Sequence, residues 1–348
     1  MRPHWQVLFV ILLTTQEATN SPITHKLLTV ENEILNPGPE PKIDPLDNPE
    51  YFEGDIRPSK KNGYRNAMRD INARWPNGVI PFILTARLTE AVKKSIMEAI
   101  ADYHTYTCIR LVPQSLQRDY IQFISADGCW SLVGRDGGKQ QISLSPRCDL
   151  KGIAMHEIMH ATGFFHEQAR HDRDSYVRVN YANINPKMYS QFSRLHSYEE
   201  RSLGTAYDYL SLMHYGRKAF SKNGRDTITP RNDPNQKLGQ RAGFSKTDAR
   251  EINLMYGCTE QSIANGVPPP AASLQRRYGC RDIIRKDACA VFVKYDMCKY
   301  YQEYCKQSCH YEACYGPKSK PCINHSQYCY LMDCGFYGYL CPKKCGRC

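Results

Sequence analysis

The sequence predicts an α+β protein in which a mixed sheet packs on helices, followed by a small disulfide-rich region. Three observations predict it: short segments typical of strands, one long amphipathic segment typical of a helix, and an uneven distribution of cysteine. Of the 16 cysteines in 348 residues, twelve lie between Cys280 and Cys348. A hydrophobic content of 41% and a charged content of 23% exclude collagen, wholesale disorder and a polytopic membrane protein.

The N-terminus has the pattern of a secretory signal peptide, which we place at 1–20. Arg2 and His4 precede an apolar run at 5–13, and small and polar residues follow it. A buried N-terminal strand or helix is the alternative, but nothing amphipathic accompanies the run. Because no other stretch approaches the roughly 18 apolar residues that span a bilayer, the sequence predicts a secreted, extracellular protein with no membrane span.

The next elements are a leader, a strand and a helix. Residues 21–65 are rich in Pro, Asn, Asp and Glu without a sustained period, which predicts a poorly structured leader. Residues 79–84 are typical of a strand. Thr89 can cap a helix running to Tyr103, in which apolar residues recur at helical spacing.

Alternating residues at 120–125 and 141–144 predict two further strands, with a glycine-containing segment at 131–135 between them. After Cys258, the proline-rich residues 259–279 predict a semi-rigid spacer. Two sets of six cysteines follow, at 280–314 and 322–348, and they indicate a repeat of small stapled modules.

The net charge of +11 does not indicate nucleic-acid binding, because Lys and Arg are scattered and no basic helix stands out. Residues 280–348 hold 11 Lys/Arg and 6 Asp/Glu, so a charge of +5 lies on the tail. A solvated basic surface is the simpler interpretation. Weak attraction to acidic glycans, membrane surfaces or matrix is the alternative.

The segment from His156 to His166 is the one that carries chemistry. On a helix, His156 and His160 lie within about 40° of each other and face the same point, so both imidazoles can bind one zinc ion. A continued helix would carry His166 about 9 Å beyond His160, so the chain must turn, and Gly163 is placed to allow it. Three neutral histidines leave coordination open for water, as a catalytic zinc site requires.

Glu157 follows the first histidine and is the candidate general base and acid. Its carboxylate can take a proton from zinc-activated water and later hand it to the leaving amine, which makes peptide hydrolysis plausible. The spacing H-E-x-x-H alone recurs by chance, whereas the full pattern of eleven residues with its glycine is specific. Three core histidines on an ordinary helix are the alternative.

Residues 156–175, together with 211–215, resemble the astacin family of metzincin endopeptidases, and the resemblance covers about 55–258. It implies a two-lobed zinc protease domain with an active-site cleft at 66–258, one Zn²⁺ per subunit, and an extended polypeptide as substrate. By the same resemblance Met213 forms the Met-turn beneath the metal. Tyr215 would stabilise the oxyanion, and His214 would be a framework residue.

The resemblance also implies latency. Phe52-Glu-Gly-Asp55 is similar to the family's pro-segment switch, in which the aspartate takes the zinc position needed by water, so residues 21–65 would be a propeptide. Cleavage is expected after Arg65, with Arg69 as the competitor. The new N-terminal ammonium would then reach a buried Glu167.

Ser131 and the residues up to 135 would form an edge strand that pairs with substrate main chain. Specificity must then come from pockets. Arg217, Lys218 or Arg231 would favour acidic residues beyond the scissile bond if one of them reaches the pocket, but ordinary surface cations are the alternative.

The two cysteine-rich sets resemble ShK-like toxin (ShKT) domains, although the second set is unusually short. Spacing alone leaves 15 connectivities for each set. A disulfide-rich adaptor that holds the enzyme near substrate or matrix is the expectation, and a module that blocks an ion channel is the alternative.

Asn324 is a candidate glycosylation acceptor. The two resemblances together imply the pairs Cys108–Cys258, Cys129–Cys148, Cys280–Cys314, Cys289–Cys305, Cys298–Cys309, Cys322–Cys348, Cys329–Cys341 and Cys334–Cys345.

The leading hypothesis is therefore a secreted zinc endopeptidase made as a zymogen. The alternative of a different class is a secreted cysteine-rich binding protein whose protease-like domain is inactive.

Overall fold

The computed structural model describes residues 44–59, 70–196, 203–268 and 282–309. The chain divides into two compact units at Pro268, which are described separately below as the N-terminal and C-terminal units. Among these residues, no helix combines the length and apolar character that crossing a membrane requires.

A five-stranded sheet forms one side of the N-terminal unit. Its strands are β1 (Val79–Leu84), β2 (Arg110–Pro113), β3 (Tyr120–Ile124), β4 (Cys129–Trp130) and β5 (Lys139–Leu144), in the order β2-β1-β3-β5-β4. All neighbours are parallel except β4, which runs antiparallel to β5 and forms an edge. The strands predicted at 79–84, 120–125 and 141–144 are confirmed, and they lie in one mixed sheet as expected.

Two long helices pack against each other beside this sheet. Helix α1 (Glu90–Tyr106) begins at the predicted cap, where the Thr89 side chain accepts a hydrogen bond from the amide of Val92. Helix α2 (Lys151–Thr162) is buried on every side from its second residue onward, which marks it as the centre of the unit. The Tyr103 hydroxyl on α1 donates to the Met155 carbonyl on α2 at 3.0 Å and joins the two helices.

The rest of the N-terminal unit has little regular structure. Strands β6 (Val177–Val179) and β7 (Ile228–Pro230) form a small antiparallel sheet. Short 3₁₀ turns and buried apolar residues, among them Phe192, Tyr207 and Tyr215, make a second core beside it. Helix α3 (Lys246–Tyr256) completes this part, capped by Ser245 and Asp248.

The start of the predicted spacer at 259–279 is packed rather than extended. Helix α4 (Glu260–Ala264) lies there, and the guanidinium of Arg110 donates to the carbonyls of Ser262, Ile263 and Asn265. Any spacer therefore starts after this helix.

The C-terminal unit contains helices α5 (Lys286–Lys294) and α6 (Cys298–Tyr301). Disulfides join Cys289 to Cys305 and Cys298 to Cys309. The predicted pair Cys280–Cys314, the second cysteine set at 322–348 and Asn324 lie outside the described residues, as do the signal segment 1–20 and the expected cleavage sites at Arg65 and Arg69.

Candidate metal centre and active site

Helix α2 and the turn after it bring three histidines together. His156 and His160 lie one turn apart on α2. Gly163 then ends the helix with a φ of 120°, which an L side chain rarely adopts, and donates its amide to the His160 carbonyl. This turn returns the chain so that His166 faces the other two rings, at 4.7 Å from His160 and 5.1 Å from His156 between ring centroids.

The three Nε2 atoms point at one place, and the carboxylate of Asp55 points at it from the leader. Asp55 Oδ2 lies 2.9 Å from Nε2 of His156 and 3.3 Å from Nε2 of His166, and its Oδ1 lies 3.2 Å from Nε2 of His160. All four side chains are buried, and their ligand atoms lie within 4.8 Å of one another. Nitrogen and carboxylate oxygen at this spacing suit zinc.

The opposite nitrogen of each ring has its own partner. Nδ1 of His156 lies 2.9 Å from the carbonyl of Leu212, and Nδ1 of His160 lies 2.7 Å from the carbonyl of Phe164. A carbonyl can only accept, so both rings carry their proton on Nδ1 and turn the Nε2 lone pair to the centre. Such outer partners orient metal-binding histidines.

Two side chains beside this group, Glu157 and Tyr215, have buried polar atoms without a hydrogen-bond partner among the described residues. These atoms are both carboxylate oxygens of Glu157 and the hydroxyl of Tyr215. Burial raises the pKa of Glu157 well above its usual value, and the charge of Asp55 acts in the same direction. Burial likewise raises the pKa of Tyr215. Buried polar atoms left open beside a ring of ligands fit a site that receives a metal with water or substrate.

The carboxyl of Asp55 responds in the opposite direction. Burial alone would raise its pKa, but the facing His166 and His160 outweigh burial and hold the pKa well below its usual value. Asp55 is therefore the anionic member of the group.

The chain turns at Met213, which is 2% exposed and follows the Leu212 carbonyl that faces Nδ1 of His156. Asp248 fixes this turn, because its carboxylate accepts hydrogen bonds from the Ser211 hydroxyl at 2.7 Å and the Leu212 amide at 2.8 Å. His214 lies outside the metal group, with its Nε2 2.7 Å from the hydroxyl of Tyr207.

The leader pairs with the edge of the sheet over only a few residues. Ser131 donates its amide to the Asp55 carbonyl at 2.9 Å and accepts from the Arg57 amide at 2.8 Å. The prediction of an edge strand over 131–135 is wrong beyond this point. Gly134 donates to the His160 carbonyl and Arg135 to the Ala73 carbonyl, so these amides face the N-terminal unit itself.

Glu167 is 7% exposed, and its Oε1 accepts from the Asp208 amide at 2.7 Å and lies 3.3 Å from Arg170. Burial raises its pKa well above the usual value, and Glu251 adds to that. The residue expected to reach it, Asn66, lies outside the described residues.

The sequence did not single out two residues that hold the leader. Arg241 lies 3.0 Å from Asp44 and donates to the carbonyls of Leu212 and His214 in the Met213 turn. Gln191 accepts from the Gly54 amide at 3.2 Å. Neither belongs to a local motif, so no spacing in the sequence could have identified them.

Arg217 is one of the three basic residues considered for the substrate pocket. It pairs with Asp226 at 2.6 Å and donates to the carbonyls of Pro234 and Gln236, so its guanidinium has local partners.

The two expected disulfides of this unit, Cys108–Cys258 and Cys129–Cys148, are formed.

Comparison with known proteins gives consistent matches to this unit. The model of the Astacin peptidase family matches residues 67–257. Zinc metalloproteinase nas-13 of Caenorhabditis elegans is 44% identical over 230 residues, covering 61% of this chain but only 51% of the relative. Zinc metalloproteinase nas-4 of the same organism is 39% identical over 264 residues, covering 73% of this chain and 83% of the relative.

A solved structure also matches. High choriolytic enzyme 1, a hatching enzyme zinc-protease from the medaka fish Oryzias latipes, aligns with a TM-score of 0.50 and 43% identity. The alignment covers 53% of this chain and 94% of that structure.

Proposed function

Because the chain belongs to the astacin family of zinc metallopeptidases, we propose that it is a secreted zinc endopeptidase made as an inactive proprotein. The observation that carries this proposal is the convergence of His156, His160 and His166 beside Glu157, whose buried carboxylate has no partner among the described residues. An inactive binding protein would have no need to keep that carboxylate buried and open.

The three histidines and, in the proprotein, Asp55 would hold the metal. Zinc bound there supplies Lewis-acid polarisation of the scissile carbonyl and lowers the pKa of water towards about 7. Glu157 takes the proton from the attacking water and delivers it to the leaving amine, a task for which its buried carboxylate, without a partner among the described residues, is placed. The hydroxyl of Tyr215 donates a hydrogen bond to the developing oxyanion.

Latency in this proposal comes from the leader. The carboxylate of Asp55 lies against all three Nε2 atoms, so water and a substrate carbonyl have no access to that position until the leader leaves. Cleavage after Arg65 would release the leader. The new ammonium at Asn66 would then pair with Glu167, which otherwise keeps a buried carboxylate of raised pKa.

The twelve C-terminal cysteines would build two ShKT modules at 280–314 and 322–348. The pairs Cys289–Cys305 and Cys298–Cys309 support the expected second-to-fourth and third-to-fifth pattern for the first module. We assign these modules the role of holding the enzyme near substrate or an acidic glycan of the matrix, which suits the basic charge of the tail.

Casein hydrolysis tests the proposal. We expect uncleaved proprotein to be inactive, and a trypsin-like protease to activate it with a new N-terminus at Asn66. A start at Asp70 would instead assign the cleavage to Arg69.

We further expect a chelator to abolish activity, and Glu157→Ala to abolish it while one zinc stays bound. Glu98→Ala, at an exposed glutamate on α1, is the matched control and should leave activity unchanged. Full activity in Glu157→Ala would refute the mechanism, and zinc-loaded, cleaved wild type without activity would favour the binding protein.

A further inference from the structure

Glu53 is a second acidic residue that the leader delivers to the metal group. Its side chain is fully buried, and its Oε2 lies 2.8 Å from Nδ1 of His166. Asp55 approaches the same ring from the other side, with Oδ2 3.3 Å from Nε2. The His166 ring is therefore held between two leader carboxylates, of which only Asp55 faces the metal position.

The three histidines differ in where their outer partners come from. His156 and His160 use the carbonyls of Leu212 and Phe164, which stay in place when the leader is removed. Only His166 takes its outer partner from the leader. Release of the leader consequently leaves His166 without the acceptor that orients it, in addition to removing Asp55.

The leader is shaped to make this contact. Glu53 has a φ of 48° and Gly54 a φ of 83°, so the chain bends sharply between the two carboxylates. A non-glycine residue in this conformation is uncommon and persists where its surroundings fix it. Here Gln191 fixes the bend, since its carboxamide accepts from the Gly54 amide and donates to the Tyr51 carbonyl at 2.9 Å.

We propose that Glu53 is a positioning residue through which the leader retains the metal, so that the proprotein holds zinc more tightly than the mature enzyme does. A carboxylate that accepts a hydrogen bond from the Nδ1–H of a metal-binding histidine fixes the tautomer of that ring. It also raises the basicity of the ring's Nε2 atom. Loss of such a partner typically lowers metal affinity by about 10- to 100-fold. This inference rests on the zinc site of the proposed function and adds a second task to the leader besides blocking the site.

The rate at which the uncleaved full chain releases zinc to an excess of chelator tests the role proposed for Glu53. We expect Glu53→Ala to release zinc about 10- to 100-fold faster than wild type. Glu53→Gln keeps a hydrogen-bond acceptor but loses the charge, so it should release zinc at a rate between those of wild type and Glu53→Ala. Glu50→Gln alters an exposed leader glutamate and should match wild type. Mature enzyme should release zinc at least as fast as Glu53→Ala.

Docking of the leader must be followed separately. The Arg57 guanidinium lies 4.4 Å from the centroid of the Trp130 ring, so a change in the tryptophan fluorescence of the protein reports departure of the leader from Trp130. Faster zinc release from docked Glu53→Gln, together with an upfield shift of the His166 Nδ1 proton in nuclear magnetic resonance spectra, would support the positioning role.

Two results would overturn the inference. One is zinc release at the wild-type rate from docked Glu53→Ala and Glu53→Gln. The other is loss of docking in Glu53→Gln, which would give Glu53 a purely structural role. Wild-type proprotein that binds no zinc would contradict the proposed function itself, and that measurement is made before any variant is compared.

Discussion

The hydroxyl of Tyr215 is buried without a hydrogen-bond partner among the described residues, although its ring is well packed. The ring centroid lies 4.9 Å from that of His166 and 5.8 Å from that of Phe192. Tyr215→Phe should therefore keep the packing and lose only the donor. We expect kcat of the activated enzyme to fall about 10²- to 10³-fold, with little change in KM, because the bond forms in the transition state.

Tyr209→Phe is the matched control for this prediction. The Tyr209 hydroxyl donates to the Tyr176 carbonyl at 3.0 Å, and neither residue belongs to the metal group. Its removal should leave kcat unchanged. Steady-state kinetics on a quenched peptide measures both variants, and equal activity of Tyr215→Phe and wild type would exclude the oxyanion role.

His104 is a buried histidine outside the active site that predicts a pH effect on stability. Burial lowers its pKa to about 3, with Arg110 acting in the same direction, and its Nε2 accepts from the Leu111 amide at 3.1 Å. In the unfolded chain its pKa is about 6.5. Between these values the unfolded chain binds a proton that the folded chain does not. The contribution of His104 to the free energy of unfolding is therefore fully present above pH 6.5. It falls as the pH decreases, by up to about 1.4 kcal/mol per pH unit.

Urea unfolding between pH 7 and pH 5 measures this effect. His104→Gln should flatten the decline in the free energy of unfolding, whereas His196→Gln, at an exposed position, should follow wild type. A decline of the same slope in His104→Gln would assign the pH dependence to other groups.

At the scale of elements, the leader turn has no room for an added methyl group at Gly54. A Cβ on Gly54 would lie 2.6 Å from the Leu46 carbonyl and 3.0 Å from the Phe220 ring, at a φ of +83°. Gly54→Ala should displace the turn that carries Asp55 and give the uncleaved proprotein measurable casein hydrolysis, which wild-type proprotein lacks. Gly204→Ala shares the positive φ but meets open space, and it should stay latent. Latency of Gly54→Ala equal to wild type would contradict this account of the turn.

Some elements of the fold and the site can be predicted from the sequence, and others cannot. Strand β1 follows from its short apolar run, and helix α1 follows from a helical period with a Thr89 cap, because both signals are local. The histidine group follows as well, since helix spacing and Gly163 dictate it. The edge strand at 131–135 does not, because whether Gly134 pairs with a strand or with the His160 carbonyl depends on a residue distant along the chain. The roles of Glu53, Gln191 and Arg241 arise in the same way from leader contacts across more than a hundred positions.

At the scale of the N-terminal unit, two disulfides constrain very different lengths of chain. Cys108–Cys258 closes a separation of 150 residues, and Cys129–Cys148 closes one of 19. If the bonds act on the entropy of the unfolded chain, they contribute about 5 and about 3 kcal/mol respectively. The longer bond joins the segment just before β2 to the segment just after α3, close to the point where Arg110 holds helix α4.

Replacing each pair with serine separates these contributions. We expect Cys108→Ser with Cys258→Ser to lower the free energy of unfolding by about 2 kcal/mol more than Cys129→Ser with Cys148→Ser, as the difference in loop length requires. For a unit of this size, that difference corresponds to a gap in Tm of roughly 4 to 8 °C. Calorimetry of the uncleaved, zinc-loaded protein at one pH measures it. An equal loss from both pairs, or a larger loss from the shorter loop, would show that local packing around the cystines outweighs chain entropy in this unit.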